Sequence, residues 1–578
     1  MSILIFGGTT EGRVAVEVCS GSDTPFYYST RHTYQDIQLP PKAVRLTGAM
    51  TAEDIRRFCH EHQVGCIVDA SHPFAVGLHQ SVAAAAIPVI RFERPSSPHY
   101  DDVVYCRDLT QAIDLLNQHA PRRLLALTGV NTIGPLRSYW QAQPDTFFRI
   151  LPHSESLQLA HKYEFPDDHL LYYHAEAESQ SDALARLVAA THADAIITKD
   201  SGDSGHYAEK VKAAVAMGLQ VFVVQRPPYP VVPAHTVDGP HGLRLAIQHV
   251  LPDYFALNIG LTTGSHATAA VQAALQSLLQ QRTDIDDVAI RLPQTGETIH
   301  VPVSIDRPGT ATTIKAHNDD PDVTRGCHIT ATLRLLPDQT DVTFLRGQGI
   351  GLVTLPGLGI PVGSPAINPV PRRMMTEAIR ALTPLGCEVT LSVAEGQRLA
   401  PHTFNPRLGV TDGISIIGTT GIVTPLSNEA FVQSIHREMQ VHVALGHTHI
   451  GLASGRQGEE HLHEPHPQLP VIHYGNLVGA ALHAAHQLHI PHVTLCIAIG
   501  KAVKLAEGHL DTHSRKVQMN KEFLKTLDPD HADLIDSVHL ARELWPLMPD
   551  IFFQRLRDHC YHHARQVYPQ GQLDILLY

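Results

Sequence analysis

Short, uninterrupted apolar runs alternate with stretches of helical periodicity over the first 250 residues. ILIF (3–6), CIVDA (66–70), VIRF (89–92), LLALTG (124–129), AIITKD (195–200) and QVFVVQRP (220–227) are brief and apolar throughout, the pattern of strands buried on both faces. TAEDIRRFCHEH (51–62) and SDALARLVAATH (181–192) place apolar residues on one helical face between such runs. The alternation predicts α/β architecture, a doubly wound (Rossmann-like) parallel sheet in each of two lobes, about 1–120 and 121–250. A cleft between two such lobes is the usual place for a ligand.

The texture changes near 250–256, after the proline-rich VQRPPYPVVPAHTVDGPHG and a last helical stretch, LRLAIQHVL. GLTTGSHATAAVQAALQSLLQQ (260–281) predicts a turn feeding a helix, with Ser265 as N-cap. LPQTGETIHVPVSI and DVTRGCHITATLRLLP predict strands, and residues 346–372 a long glycine-proline loop. The expected domains are 1–250 and 256–578, the second a mixed α+β module.

Composition narrows the function classes. A chain of 578 residues exceeds one core at ~150 residues per domain. A formal charge of −13 offers no general basic face for nucleic acid. Eight cysteines, none in a C-x-x-C, point to a reducing compartment without thiolate zinc. No apolar run reaches the ~18 residues of a membrane span, and the N-terminus is unlike a signal peptide. A cytoplasmic location is expected.

The opening GGTTEG is close to the dinucleotide fingerprint G-x-G-x-x-G but differs from it. Gly7 and Gly12 fill its ends, Thr9 stands at the middle glycine, and Gly8 and Thr10 complete the turn. Either a pyrophosphate meets the helix N-terminus here, with the threonine replacing a backbone contact, or this is only a tight turn between strand and helix. The acidic ribose-binding residue of such folds falls about 20 residues on; here PFYYST ends in Thr30 and Arg31. An arginine suits a 2′-phosphate and hence NADPH, or is a solvated surface residue.

ILIFGGTTEGR, DASHPFA (69–75), RFERP (91–95), TGVNTIG (128–134) and ITKDSGDSGHYAEKVKAA (197–214) together resemble the precorrin-6A and cobalt-precorrin-6A reductase family, over nearly all of residues 1–250. LTTGSHATAA (261–270), NDDPDVTRG (318–326), GIGLVTLPGL, PAINPVPRRMM (365–375), TFNPRLGVTDGISIIGTTGIVTPLS (403–427), GNLVGAALHAA (475–485) and IGKAVKLAEGHLDTHS (499–514) resemble the cobalt-precorrin-5B C(1)-methyltransferase family, over most of 256–578. The resemblance implies a bifunctional enzyme of anaerobic cobalamin biosynthesis. The second module would methylate cobalt-precorrin-5B with S-adenosylmethionine, giving cobalt-precorrin-6A. The first would reduce that product with NADH or NADPH; the cobalt route implies NADH, against the NADPH that Arg31 suggests. The partners implied are small corrinoids, without nucleic acid or membrane, and a homo-oligomer is compatible. The alternative is a corrinoid carrier with only one active half.

In the first module Gly7, Gly8, Thr9, Thr10, Gly12, Arg31, Thr128 and Gly129 are candidate nucleotide contacts. Asp69 caps the next turn or meets substrate, and Ser201, following Lys199 and Asp200 at another strand end, is a candidate substrate contact. His72, Lys199 and Asp200 are candidate catalytic groups: His72 could donate a proton or is a plain turn residue, and Lys199 suits corrinoid carboxylates or a strand-end salt bridge.

Methyl transfer from a sulfonium needs mainly alignment and desolvation, so the second module is expected to offer turns for anions and an adenosine pocket. Thr262-Thr263-Gly264-Ser265, Gly418-Thr419-Thr420-Gly421 and Gly347-Gly349-Gly351 are candidate turns, of which at least one is expected to be purely conformational. Asp319, Asp320 and Asp322 could reach a ribose or an amino group, or form a solvated loop. Asn405, Arg407, Asn476, Lys501 and Lys504 are candidate substrate contacts. His266 stands where the family has cysteine, Asn318 where it has aspartate, and Cys496-Ile497-Ala498 where it has a glycine-histidine pair. No standard methyltransferase glycine motif is visible. GHTHIGLASGRQGEEHLHEPHPQLPVIH is crowded with histidines, from His447 to His473, and its glycine, glutamate and proline content predicts an exposed loop. Imidazoles two residues apart can share a metal, but the resemblance places metal insertion earlier in the pathway, and no metal site is assigned.

Overall fold

Strands buried on both faces must find partners for every backbone N–H and C=O, and the apolar runs do so in parallel sheets. The computed structural model describes the chain except residues 32–36, 96, 174–178, 203–204, 316–317 and 321. The chain forms two compact units, Met1–Asn258 and Ile259–Tyr578.

The first unit contains β1 (Ser2–Phe6), β2 (Phe26–Thr30), β3 (Ala43–Thr47), β4 (Val64–Asp69), β5 (Val89–Phe92), β6 (Val104–Cys106), β7 (Leu124–Ala126), β8 (Thr146–Ile150), β9 (Leu170–Tyr172), β10 (Ala195–Lys199), β11 (Gln220–Val224) and β12 (His235–Val237). They make two six-stranded parallel sheets, ordered β12-β5-β4-β1-β2-β3 and β6-β11-β10-β7-β8-β9. Ile3, Leu4, Ile5, Ile67, Val68, Ile196 and Ile197 are fully buried. Helices between the strands start on polar caps: Thr9 accepts from the Gly12 N–H, Thr51 and Asp54 form a reciprocal box, and Asp108 accepts from the Gln111 N–H. The lobes do not divide at residue 120. β6 already pairs in the second sheet and β12 returns to the first, so the chain crosses between sheets twice. Strand order reverses between β1 and β4 and between β7 and β10, and these reversals open the crevices where ligands bind.

In the second unit the helix Thr263–Gln280 is almost wholly buried. Its alanines, Ala267, Ala270 and Ala274 among them, let it lie close to the helix Pro369–Arg380 and to a mixed sheet. That sheet runs Ser304–Arg307, Thr310–Ile314, His328–Leu336, Gly386–Val393, Val342–Arg346, with only the last pair parallel. The N-cap is Thr262, whose hydroxyl accepts the Ser265 N–H, so Ser265 lies inside the helix rather than capping it. The remainder forms a four-stranded, wholly parallel sheet ordered Val471–His473, His449–Ala453, His492–Ile497, Gln572–Leu577.

The histidine-crowded segment is therefore not an exposed loop. It supplies a core strand (His449–Ala453), a helix (Arg456–His463) and a second strand (Val471–His473). Ile450 and Leu452 are fully buried, while His449 and His473 stand at strand ends, His461 and His463 on the helix, and His447 and His466 in the connections. Among the described residues no three metal-capable side chains converge, and no helix is long and apolar enough to cross a membrane. Leu452→Ala should lower the unfolding free energy of the second unit by about 2–5 kcal/mol, whereas the exposed Gln468→Ala should change it by less than ~0.5 kcal/mol, read by urea denaturation. Equal, small effects would return the segment to a surface loop.

Candidate active sites

At the opening turn each glycine has a separate steric reason. A Cβ on Gly7 would lie 2.3 Å from the Tyr28 ring, and one on Gly12 would lie 2.8 Å from the Gly7 Cα, so these two permit close packing. Gly8 has φ +93°, and a Cβ there would meet nothing within 4 Å; its constraint is backbone conformation, and the space above it is open. Thr9 donates its hydroxyl to the Ala70 carbonyl (2.6 Å) and accepts the Gly12 N–H (3.1 Å), so it locks the turn to β4 rather than offering a hydroxyl to phosphate. Thr10 is exposed at the helix start, and Arg31 is exposed just beyond β2, where a ribose-binding residue would stand.

Asp69 ends β4 fully buried. Its carboxylate faces Arg91 Nη1 at 3.1 Å, accepts the Tyr229 hydroxyl at 2.7 Å and the Ser71 N–H at 3.0 Å, and has His79 Nε2 at 3.7 Å. The turn-capping role is the one seen; its oxygens are engaged by protein, which leaves substrate contact to its neighbours. Arg94 reaches from the β5 end to Glu11 through two contacts of 3.0 Å and to the Ser201 carbonyl at 2.6 Å. Arg226, beyond β11, donates to the carbonyls of Arg94, Pro95 and Asp200 at 2.8, 3.0 and 3.2 Å and pairs with the Asp200 carboxylate at 3.3 Å. The Ser97 hydroxyl also donates to Asp200 (2.5 Å). Sequence reasoning passed over Arg94 and Arg226, although RFERP and QVFVVQRP contain them, because nothing local shows that they tie the ends of one sheet to the other.

Against this braced background Lys199 stands apart. Its ammonium lies 5.2 Å from the Phe74 ring centroid and has no hydrogen bond or carboxylate partner among the described residues. Burial pushes it down to about 8. His72 is beside it: burial first, then the Arg94 and Lys199 charges, push its imidazole down to about 4. His72 Nδ1 accepts the Phe74 N–H at 3.2 Å, so the neutral ring carries its proton on Nε2. At neutral pH His72 is thus a hydrogen-bond donor and not a charged acid, while Lys199 holds a proton it can release. In the second sheet the Thr128 hydroxyl is paired with that of Thr132 at 2.6 Å, and Gly129, at φ +81°, leaves open space.

In the second unit the two glycine-threonine turns close on each other. Thr262 N–H donates to the Gly421 carbonyl (3.0 Å), Gly264 N–H to Ile417 (2.8 Å), the Ser265 hydroxyl to Gly421 (2.7 Å), and Ile417 N–H to the Thr263 hydroxyl (2.9 Å). The Thr420 hydroxyl is held by the Ile422 carbonyl, and Gly418 abuts Thr262 too closely for any side chain; Thr419 completes this turn. The N–H groups of Thr262, Gly264 and Ser265 and the hydroxyls of Thr263, Ser265 and Thr420 are thus engaged by protein. Gly347, Gly349 and Gly351 are likewise packed against backbone and side chains. Asp322 pairs with the buried Lys315 at 2.5 Å and accepts from Thr324, and Asp320 accepts the Leu426 N–H at 3.1 Å, so both brace the loop in which Asp319 also sits. His266 and Asn318, two departures from the family pattern, are buried here, and both His266 ring nitrogens and Asn318 Nδ2 have no partner among the described residues.

The other candidates gather at the carboxyl edge of the four-stranded parallel sheet. Arg407 contacts Glu438 at 3.3 Å and Glu459 at 3.8 Å, and Glu459 accepts from His473 Nε2 at 2.9 Å. Burial raises the Glu438 carboxyl. Lys501 donates to the Gly475 carbonyl (2.6 Å), Lys504 to that of Thr512 (3.0 Å), and Thr512 N–H to that of Asn476 (2.9 Å). Asn405 joins this edge to the interlocked turns, donating to the Gly413 carbonyl at 2.9 Å and accepting from Ser415, whose carbonyl faces Thr263. Strand order reverses between His449–Ala453 and His492–Ile497. At that reversal Gly455 and Gly500 have open space where side chains would be, Gly458 packs against Ala453, and the Asn476 amide has no partner among the described residues. The sequence signal was present as SGRQG after an apolar run, but the surrounding histidines concealed it.

Gly8→Ala should weaken nicotinamide nucleotide binding at least tenfold at a stability cost of ~1–3 kcal/mol, whereas Gly12→Ala should chiefly destabilise the first unit by clashing with Gly7. Fluorescence titration with denaturant melts separates the two; undiminished affinity in Gly8→Ala would make the turn purely structural. Arg31→Ala should raise KM for NADPH and leave that for NADH nearly unchanged; equal effects would remove Arg31 from the site.

Residues 2–242 match the family described as Precorrin-6x reductase CbiJ/CobK, and residues 252–425 match the CbiD family. Cobalt-precorrin-5B C(1)-methyltransferase from Prosthecochloris aestuarii is 39% identical over 345 residues, covering 56% of this chain and 93% of that protein. Its counterpart from Pseudomonas putida GB-1 is 43% identical over 270 residues, 45% of this chain and 73% of that one. Among solved structures, one of CobK precorrin-6A reductase superposes with a TM-score of 0.35 at 21% identity, over 44% of this chain and 97% of that chain. The chain belongs, through its second unit, to the cobalt-precorrin-5B C(1)-methyltransferase family.

Proposed function

We propose that the second unit transfers a methyl group from S-adenosylmethionine to ring carbon 1 of cobalt-precorrin-5B, and that the first unit reduces the product, cobalt-precorrin-6A, with NADH or NADPH. Methyltransferase and oxidoreductase activities of cobalamin biosynthesis follow from the two families; the cofactors, the order of steps and the residues are the proposal. The observation that carries it is Lys199: an ammonium without a carboxylate partner among the described residues, in the unit that also holds the open turn at Gly8.

The space at Gly8 fits a pyrophosphate against the start of the helix Thr10–Ser20. A nicotinamide nucleotide supplies a hydride when bound. Reduction of a ring double bond also needs a proton, and in this reading Lys199, which burial pushes down to about 8, gives it. His72 Nε2–H and the arginines orient substrate carboxylates. Asp200 is paired with Arg226 and accepts from Ser97, and it serves position rather than proton transfer. In the second unit the open turn at Gly455, with the Asn476 amide in the turn after the strand Val471–His473, fits an adenosine at the carboxyl edge of the sheet. S-adenosylmethionine supplies an electrophilic methyl group when bound. Glu438 and Glu459 set a negative field towards a sulfonium, Lys501 and Lys504 hold the loops at the strand ends, and Arg407 and Asn405 lead from there to the interlocked turns.

The test is to incubate the full chain with cobalt-precorrin-5B and methyl-deuterated S-adenosylmethionine, then add NADPH or NADH. Mass spectrometry should show gain of the labelled methyl group and then of two hydrogens; no gain in the first stage would overturn the methyltransferase assignment, and no gain in the second would overturn the reductase assignment. For Lys199 the sign is fixed by the acid form: reduction should be level while the ammonium is protonated and fall as pH rises through about 8. Lys199→Met should lower kcat by ~10²–10⁴ and abolish that limb. An unchanged pH profile in the variant would place the proton donor elsewhere.

A further inference from the structure

Lys210 lies on the helix Tyr207–Ala216 and is only 5% exposed. A lysine this deep ordinarily ends on a carboxylate or on carbonyl oxygens. In the second unit Lys315 ends on Asp322 and Lys504 on the Thr512 carbonyl. Lys210 has neither: among the described residues its ammonium makes no hydrogen bond and no ion pair. The charge acting on it is another cation, Arg149, next to last on β8. Arg149 is itself set over the Tyr173 ring, 4.8 Å from its centroid. Burial first, and then Arg149, push Lys210 down to about 7.

The position is functional ground. Arg149 shares a face of β8 with Phe147, which packs in the cluster containing Tyr207 and Val211, so the helix that carries Lys210 covers the face of the sheet on which Arg149 stands. β8 neighbours β7, from which Thr128 and the open Gly129 emerge. Lys199 follows Ile197, which belongs to the core on the opposite face, so this pair is separate from the His72–Lys199 group. Two cations under burial, with no counter-ion among the described residues, oppose each other, and an oxyanion held between them removes that opposition.

We propose that Lys210 and Arg149 form an oxyanion subsite of the first unit, which takes a carboxylate of the corrin substrate or a phosphate of the nicotinamide nucleotide. The identity of those two ligands, though not the subsite itself, rests on the proposed function. The full chain and its Lys210→Met, Lys210→Arg and Arg149→Met variants are titrated calorimetrically with NADPH and, separately, with the corrin polycarboxylate cobyrinic acid. Each Met variant should weaken the same ligand about tenfold or more, as expected for one lost charge-assisted contact, and Lys210→Arg should retain most of the affinity. Loss for NADPH identifies a phosphate, and loss for cobyrinic acid a carboxylate. Lys210→Met should melt no lower than the parent, because it removes an uncompensated buried charge. Unchanged affinity for both ligands, or a lower Tm with affinities intact, would make Lys210 structural and overturn the proposal. If the parent chain binds neither ligand, the functional reading has failed, and inorganic pyrophosphate and citrate, titrated in the same way, decide the subsite alone by the same comparison.

Discussion

A parallel strand can be followed by its neighbour only through a crossover, so the carboxyl ends of all strands in such a sheet emerge at one edge together with the starts of the helices. Three sheets of this chain obey that constraint, and each candidate site lies where strand order reverses. In the first unit the edge is held by the buried pair of Asp69 and Arg91 on adjacent strands, braced by Tyr229. Removing one partner of such a pair leaves a buried charge and costs about 3–5 kcal/mol. With that edge rigid, Arg94 and Arg226 reach across to the end of β10, where Lys199 has no carboxylate partner among the described residues.

The strand edges and the turns answer different needs. Thr262–Ser265 and Gly418–Gly421 look like anion sites because hydroxyls and glycines cluster there, yet donors of the first are taken by the carbonyls of Gly421 and Ile417. Their rigidity fixes the start of the central helix Thr263–Gln280, and through Asn405 and Ser415 it fixes Arg407. The glycines with open space are elsewhere, at Gly8, Gly129, Gly455 and Gly500 among others.

The alternating core was legible from pattern alone. VIRF is β5 residue for residue, and AIITKD and QVFVVQRP contain β10 and β11, because strands buried on both faces leave an unbroken apolar signal. The mixed character of the second unit was also legible. Its parallel sheet was not, since histidines interrupt the apolar run at the ends of His449–Ala453, where side chains meet solvent or one another. The lobe boundary was misplaced because β6 and β12 are three-residue strands whose sheet is decided by tertiary pairing. Within the sites, the opening glycine turn could be read locally. The roles of Thr9, Asp69 and Asp322 could not, because their partners Ala70, Tyr229 and Lys315 are identified only by the folded chain.

The central claim is that ligands meet this chain at the open carboxyl edges of its parallel sheets and not at its self-satisfied turns. A crystal structure of the full chain with S-adenosylmethionine bound tests it most directly. The account predicts adenosine against Gly455 and Asn476, with Glu438 and Glu459 facing the sulfonium. Adenosine seated on the Thr262–Ser265 and Gly418–Gly421 turns, with their mutual hydrogen bonds broken, would contradict it.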